Sequence, residues 1–97
     1  MKNPISDIKK VFENRVRLGI MAILMVNETC SFNSLKETLD VTDGNLASHL
    51  KALEERGMIK VNKQFLGRKP NTSYSVTEKG IAEFREHLKA LEKLIKE

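Results

Sequence analysis

The sequence predicts an α+β domain, mostly α, in which short helices form a core, a β-hairpin follows them, and further helices flank both ends. Three observations carry this. Apolar residues recur at spacings of three and four through most of the chain. Between Ile59 and Val76 the pattern changes to period two, with Gly67 and Pro70 in its middle. Helix-boundary residues stand where the patterns change: Asn14, Asn33, Thr42, Gly57 and Thr77.

The elements follow in order. Asn3-Pro4 reads as a helix start, an Asn cap before a Pro whose missing N–H costs nothing at the first helical position. Ile5, Ile8 and Phe12 then share one face. Asn14 caps a second helix through Val16, Leu18, Ile20, Ile23 and Leu24 to about Val26, apolar over much of its circumference and so central to the core. Met21, Met25 and Met58 read as core. Thr29 to Phe32 is assigned as a short strand, and Asn33 as the cap of a third helix with Leu35 and Leu39 inward. Asp40-Val41-Thr42 is a tight turn. Thr42 caps a fourth helix, Asp43 sits at its positive end, and Leu46, Leu50 and Leu53 form its inner stripe. Gly57 ends it.

In the period-two segment, Ile59, Val61 and Phe65 share one strand face, and Lys60, Asn62 and Gln64 the other. Leu66 to Asn71 reads as a loop, where Pro70 argues against a central strand. Thr72, Tyr74 and Val76 alternate back. Thr77 caps the last helix, and within it Ile81, Phe84, Leu88, Leu91 and Ile95 recur at three, four, three, four. That is an a/d seam, widened by Leu94.

Composition narrows the function. The 97 residues suit one domain, 1–97, with a core over 14–76 and flanking helices over 1–13 and 77–97. Apolar residues at 40% and charged residues at 31% carry no disorder signature. No apolar run reaches the roughly 18 residues of a membrane span, and the start lacks a secretory h-region, so a cytoplasmic location is expected. Cys30 is the single cysteine, which excludes an internal disulfide and leaves no cluster for a thiolate metal site. No phosphate-cradling glycine loop, Ser/His/acid motif or apolar carboxylate pair supports an enzyme, so no catalytic residue, metal or cofactor is expected. The net charge of +4 is permissive only, but its placement is informative. From Met58 to Val76 the charged residues are Lys60, Lys63, Arg68 and Lys69, with no acid among them. Such a stretch suits phosphates.

Two short helices across a three-residue turn, then a basic hairpin, form a helix-turn-helix with a wing. The segment Thr42-Asp43-Gly44-Asn45-Leu46-Ala47-Ser48-His49-Leu50, with Leu53-Glu54-Glu55-Arg56-Gly57-Met58-Ile59, resembles the recognition helix and exit turn of winged-helix regulators of the MarR and ArsR type. Gly67-Arg68-Lys69-Pro70-Asn71-Thr72-Ser73-Tyr74-Ser75-Val76-Thr77-Glu78-Lys79-Gly80 is similar to their wing and the start of their final helix. The likeness spans roughly residues 14 to 90 and is strongest to a compact bacterial and archaeal branch. Asp40 departs from the glycine many such turns carry, although Asp tolerates the left-handed conformation better than most residues.

The resemblance implies a transcription regulator, by default a repressor, that binds double-stranded DNA with helix 43–57 in the major groove and wing 66–72 on the backbone or minor groove. With Leu46, Leu50 and Leu53 inward, a 100° turn per residue puts Gly44, Asn45, Ser48, Lys51, Ala52 and Glu55 outward. Asn45 can pair with adenine, Ser48 can donate or accept, Gly44 permits close approach, and Lys51 suits a phosphate. His49, on the flank, has a packing or a phosphate role. Arg68 and Lys69 are the main wing contacts, supported by Thr72 and Lys63. Arg17 either resembles a basic residue placed near the DNA backbone in this family or packs locally. His87 reads as a solvated or dimer-face residue, and Cys30 as a half-buried thiol.

A homodimer is expected from the last helix, because its seam continues to Ile95, past the edge of so small a core. The expected interface is Ile5, Ile8, Phe12, Ile81, Phe84, Leu88, Leu91 and Ile95; the alternative is that the first and last helices pack together within one chain. The rival function is a winged-helix protein-interaction module without sequence-selective DNA contact. The residues name no small-molecule effector.

Overall fold

Helix α1, Arg15–Val26, begins where extended Asn14 turns its side-chain oxygen onto the amides of Val16 and Arg17, at 2.8 and 3.2 Å. In this computed structural model, which describes residues 8–96, α1 is the axis around which the other elements pack. Its Val16, Ile20, Met21 and Leu24 are buried. A two-residue strand, β1 (Cys30–Ser31), passes directly into α2 (Phe32–Leu39). Asp40 then takes a left-handed φ of 52°, and α3 (Asp43–Glu55) starts on its Thr42 cap, whose hydroxyl accepts from the Asn45 amide. Leu46, Leu50 and Leu53 are buried, as their spacing requires.

The chain leaves α3 through Gly57 at a φ of +76° and enters β2 (Ile59–Leu66), which pairs antiparallel with β3 (Lys69–Val76). The sheet order is β1-β3-β2, with β1 meeting β3 only at Cys30–Tyr74 and Ser31–Ser73. Helix α4 (Glu78–Ile95) follows, capped by Thr77, whose hydroxyl accepts from Gly80 and donates to the Gly57 carbonyl at 2.6 Å. At Gly80 the helix lies so close to the hairpin's entry that a Cβ would stand 2.1 Å from the Met58 carbonyl oxygen. The exit turn of α3 and the first turn of α4 are thus held as one unit.

Four expectations need correction. The cap of α2 is Ser31, not Asn33: Ser31 has extended dihedrals and accepts from the Ser34 amide at 3.1 Å, so Phe32 belongs to the helix rather than the strand. The hairpin loop is not Leu66 to Asn71 but the two residues Gly67-Arg68, since Leu66 pairs with Lys69. Gly67 has a φ of +67° and Arg68 does not share it, the pattern of a type II′ turn. Pro70 lies inside β3 after all, opposite Phe65. In a two-residue hairpin the pair that closes the turn, here Leu66–Lys69, is hydrogen-bonded and the next, Phe65–Pro70, is not; β1 does not extend that far, so the missing N–H leaves no ladder bond unmade.

The fourth correction concerns the N-terminal segment and α4. Asn3, Pro4 and Ile5 lie outside the described residues. The described part is a single 3-10 turn, Lys10–Phe12, in which Phe12 is fully buried. Its ring meets Phe84 edge-on at 5.2 Å and His87 at 5.4 Å. Phe12 and Phe84 therefore belong to the core of their own chain rather than to a surface for a partner. His87 is not solvated: it is 2% exposed, and its Nδ1 accepts the Lys9 amide at 2.9 Å. The covered side of α4 is Gly80, Phe84, His87 and Ala90, while Leu88, Leu91, Leu94 and Ile95 stay exposed.

Candidate nucleic-acid interface

The outward side of α3 is built by subtraction. Its three leucines are taken up by the core, and Gly44, Asn45, Ser48 and Lys51 are left exposed, in one strip running from the Thr42 cap. The N-terminal half of such a helix offers amide donors and a positive dipole end, which suits an anionic partner. Asp43 would oppose this, but Lys36 of α2 pairs with it at 2.8 Å. That surface pair contributes little stability. Its importance is electrostatic, since it screens the one acid at the head of the strip.

Arg17 and His49, separate in the sequence, are brought together. Arg17 Nε donates to His49 Nδ1 at 3.0 Å, and its Nη1 reaches the Val11 carbonyl at 3.4 Å. An imidazole that accepts at Nδ1 carries its proton at Nε2. Burial, and then the charge of Arg17, push the His49 pKa down, so it is a neutral donor at neutral pH. The two readings of Arg17 are not exclusive: it is tied locally, and the tie holds a guanidinium on the flank of α3.

The hairpin carries the second group. Arg68 occupies the turn, and Lys69 and Lys63 are exposed on the strands. Thr72 is half-buried opposite Lys63. Among the described residues, no ion pair involves Lys63, Arg68 or Lys69. The sheet face of Lys60, Asn62 and Gln64 is matched across the ladder by Ser75, Ser73 and Asn71, so it is polar as far as Gln64. No group of three or more His, Cys, Asp or Glu that could hold a metal occurs among the described residues. Cys30 is half-buried, and burial pushes its thiol pKa up, away from a reactive thiolate.

Sequence reasoning missed two residues here. Phe65 shares a strand face with buried Ile59 and half-buried Val61, yet it is 75% exposed, and its neighbour Leu66 is 66% exposed. The available signal was length: an eight-residue strand outruns a core this small. Of the expected dimer residues, Leu88, Leu91 and Ile95 are exposed, Ile8 and Ile81 are half-buried, and Ile5 lies outside the described residues.

Known proteins match this arrangement. The family model described as a winged helix DNA-binding domain matches residues 16–95. An uncharacterized protein of Methanocaldococcus jannaschii is 42% identical over 79 residues, covering 81% of this chain and 86% of its own. The structure of a transcriptional regulator homologue from Pyrococcus horikoshii OT3 is similar, with a TM-score of 0.88 and 33% identity, covering 98% of this chain and 96% of that one. PadR of Bacillus subtilis, solved in complex with operator DNA, shares the fold at a TM-score of 0.68 and 18% identity, covering 77% of this chain and 47% of its own. The matched family is one of DNA-binding domains, not of enzymes. No helix among the described residues is long and apolar enough to cross a membrane.

Proposed function

We propose that this chain, which belongs to the winged helix DNA-binding domain family, is a sequence-selective regulator of transcription that grips duplex DNA as a homodimer. In this reading α3 lies in the major groove, where Asn45 and Ser48 meet base edges and Gly44 allows the backbone close. Lys51, Arg17 and His49 meet phosphates beside it, and Arg68, Lys69, Lys63 and Thr72 hold the backbone or minor groove alongside. The carrying observation is the exposed Gly44–Asn45–Ser48–Lys51 strip, free of apolar residues and followed in the chain by an acid-free hairpin. A fold neighbour that was solved on operator DNA supports the same reading.

The dimer is proposed through the outer edge of α4. Leu88, Leu91 and Ile95 are 44%, 36% and 83% exposed, an apolar stripe of a kind that isolated chains avoid. A two-fold pair would set two α3 helices one or more DNA turns apart on a pseudo-palindromic site. Bound across a promoter, such a dimer blocks polymerase, so repression is the expected sign.

Selection of bound sequences from a random duplex library tests the reading, since it reports selectivity and half-site symmetry together. Binding to the selected site is expected to weaken with salt at a log–log slope of about −4 to −5, for four to six phosphate contacts per dimer. Arg68→Ala and Lys69→Ala should weaken all sequences alike and make the slope shallower. Asn45→Ala or Ser48→Ala should cost about 1–3 kcal/mol on the selected site and little elsewhere. A flat salt dependence would favour the protein-interaction module instead.

A further inference from the structure

Phe65 and Leu66 are the large apolar residues at the hairpin's far end, and neither belongs to the core cluster. As successive residues of β2 they point to opposite faces of the ribbon. Phe65 stands opposite Pro70, and Leu66 opposite Lys69, the residues that close the turn. The tip is therefore apolar on both faces. The charged residues around it are all cations, Lys63, Arg68 and Lys69.

These two properties together select a partner. A second copy of this chain would bring a second set of like charges to the same place. An apolar protein pocket would leave the cations without partners. A groove with two sugar walls and a phosphate rim satisfies both, since deoxyribose offers apolar surface and the phosphates lie just outside it. The minor groove of B-form DNA is about 6 Å wide. A ribbon with side chains on both faces is thicker, as the roughly 10 Å spacing of packed sheets indicates. Entry of both apolar side chains, rather than of one alone, would widen the groove.

We propose that the wing tip is an apolar wedge: on duplex DNA it enters the minor groove, Phe65 and Leu66 press on its opposite walls, and a base step opens and bends there. Lys63, Arg68 and Lys69 hold the flanking phosphates while it does so. Apolar wedges compensate for lost base stacking by the contact that the bent duplex then makes. The step opened should be a flexible pyrimidine–purine one, which gives selectivity at base pairs that α3 does not read. This inference rests on the reading of the chain as a duplex-binding protein.

The test uses the full chain on a selected duplex, with 2-aminopurine placed in turn at each step of the wing-side groove and dyes at both ends to report bending. The native chain is expected to raise the 2-aminopurine signal at a step beside the α3 contacts and to shorten the end-to-end distance. Phe65→Ala/Leu66→Ala removes only exposed side chains, so circular dichroism should stay native. The variant should lose both signals and bind about tenfold more weakly. Its preference within the α3-contacted bases should be kept. A straight, stacked duplex under the native chain overturns the wedge, as does an unchanged bend under the variant. A variant that alters self-association but not bending assigns the tip to a second copy and overturns it too. No binding of any duplex by the native chain at low salt would instead overturn the DNA-binding reading itself.

Discussion

Arg17 of α1 donates its Nε–H to Nδ1 of His49 on α3 at 3.0 Å, so the two helices share one charged contact on the flank of the exposed α3 strip. The planar guanidinium meets His49 and the Val11 carbonyl at once, which a lysine's single ammonium cannot do in fixed geometry. Arg17→Ala is therefore expected to weaken DNA binding about tenfold near 0.1 M salt and to reduce the salt slope by about one for each phosphate contact removed. Arg17→Lys should keep most of that slope but lose affinity, because the charge stays and the orientation does not. Fluorescence anisotropy titrations at several salt concentrations check this, and equal slopes for all three proteins would show Arg17 to be a packing residue only.

Two glycines in helices should respond oppositely to alanine. Nothing lies within 4 Å of a Cβ placed at Gly44, so Gly44→Ala should stabilise the fold by about 0.5–1 kcal/mol through helix propensity. It should also weaken DNA binding, since the new methyl stands on the surface proposed to approach the bases. At Gly80 the same propensity gain is overwhelmed, because the methyl would stand 2.1 Å from the Met58 carbonyl. Gly80→Ala should cost about 2–3 kcal/mol as α4 is pushed off the hairpin. Urea unfolding of the two variants checks both signs.

Leu88→Glu and Leu91→Glu place a charge on side chains that their own chain leaves partly exposed. Each should fold with native circular dichroism and sediment as a monomer at tens of micromolar. Operator binding should fall steeply, since the second α3 is lost from the complex. A native chain that is itself monomeric at that concentration, with unchanged DNA affinity in both variants, would remove the dimer from the mechanism.

His87 should make stability fall in mild acid. Burial pushes its pKa below the ordinary 6.5, Glu13 opposes this, and Lys9 adds to it. Its Nδ1 must also stay unprotonated to accept the Lys9 amide. A depressed folded pKa means that the unfolded chain takes up the proton first. The stability is thus fully present above about pH 6.5 and is lost as pH falls from there through the folded value. His49, lowered by burial and Arg17, adds a change of the same sign. Denaturation midpoints at pH 7.5 and 5 should differ for the native protein, and less for His87→Gln, whose amide oxygen can still accept from Lys9.

The order of elements, their caps at Asn14, Thr42 and Thr77, and the outward strip of α3 were legible from the sequence, because each rests on neighbours within a few residues. Thr42 caps α3 and Leu46, Leu50 and Leu53 turn inward wherever the helix is placed, so the remaining side of α3 follows from helix geometry alone. Only tertiary contact decided the rest. The seam in α4 was read from its large residues, yet its covered side is carried by Gly80, His87 and Ala90 with Phe84, since close approach to Met58 and to the N-terminal turn favours small or hydrogen-bonding groups. The pairing of Arg17 with His49, 32 positions apart, leaves no trace in local spacing. Phe65 obeys the period of its strand, but its exposure depends on where the core beneath that strand ends. Periodicity records which side of an element a residue occupies; how far the neighbouring surface extends is set by the other elements.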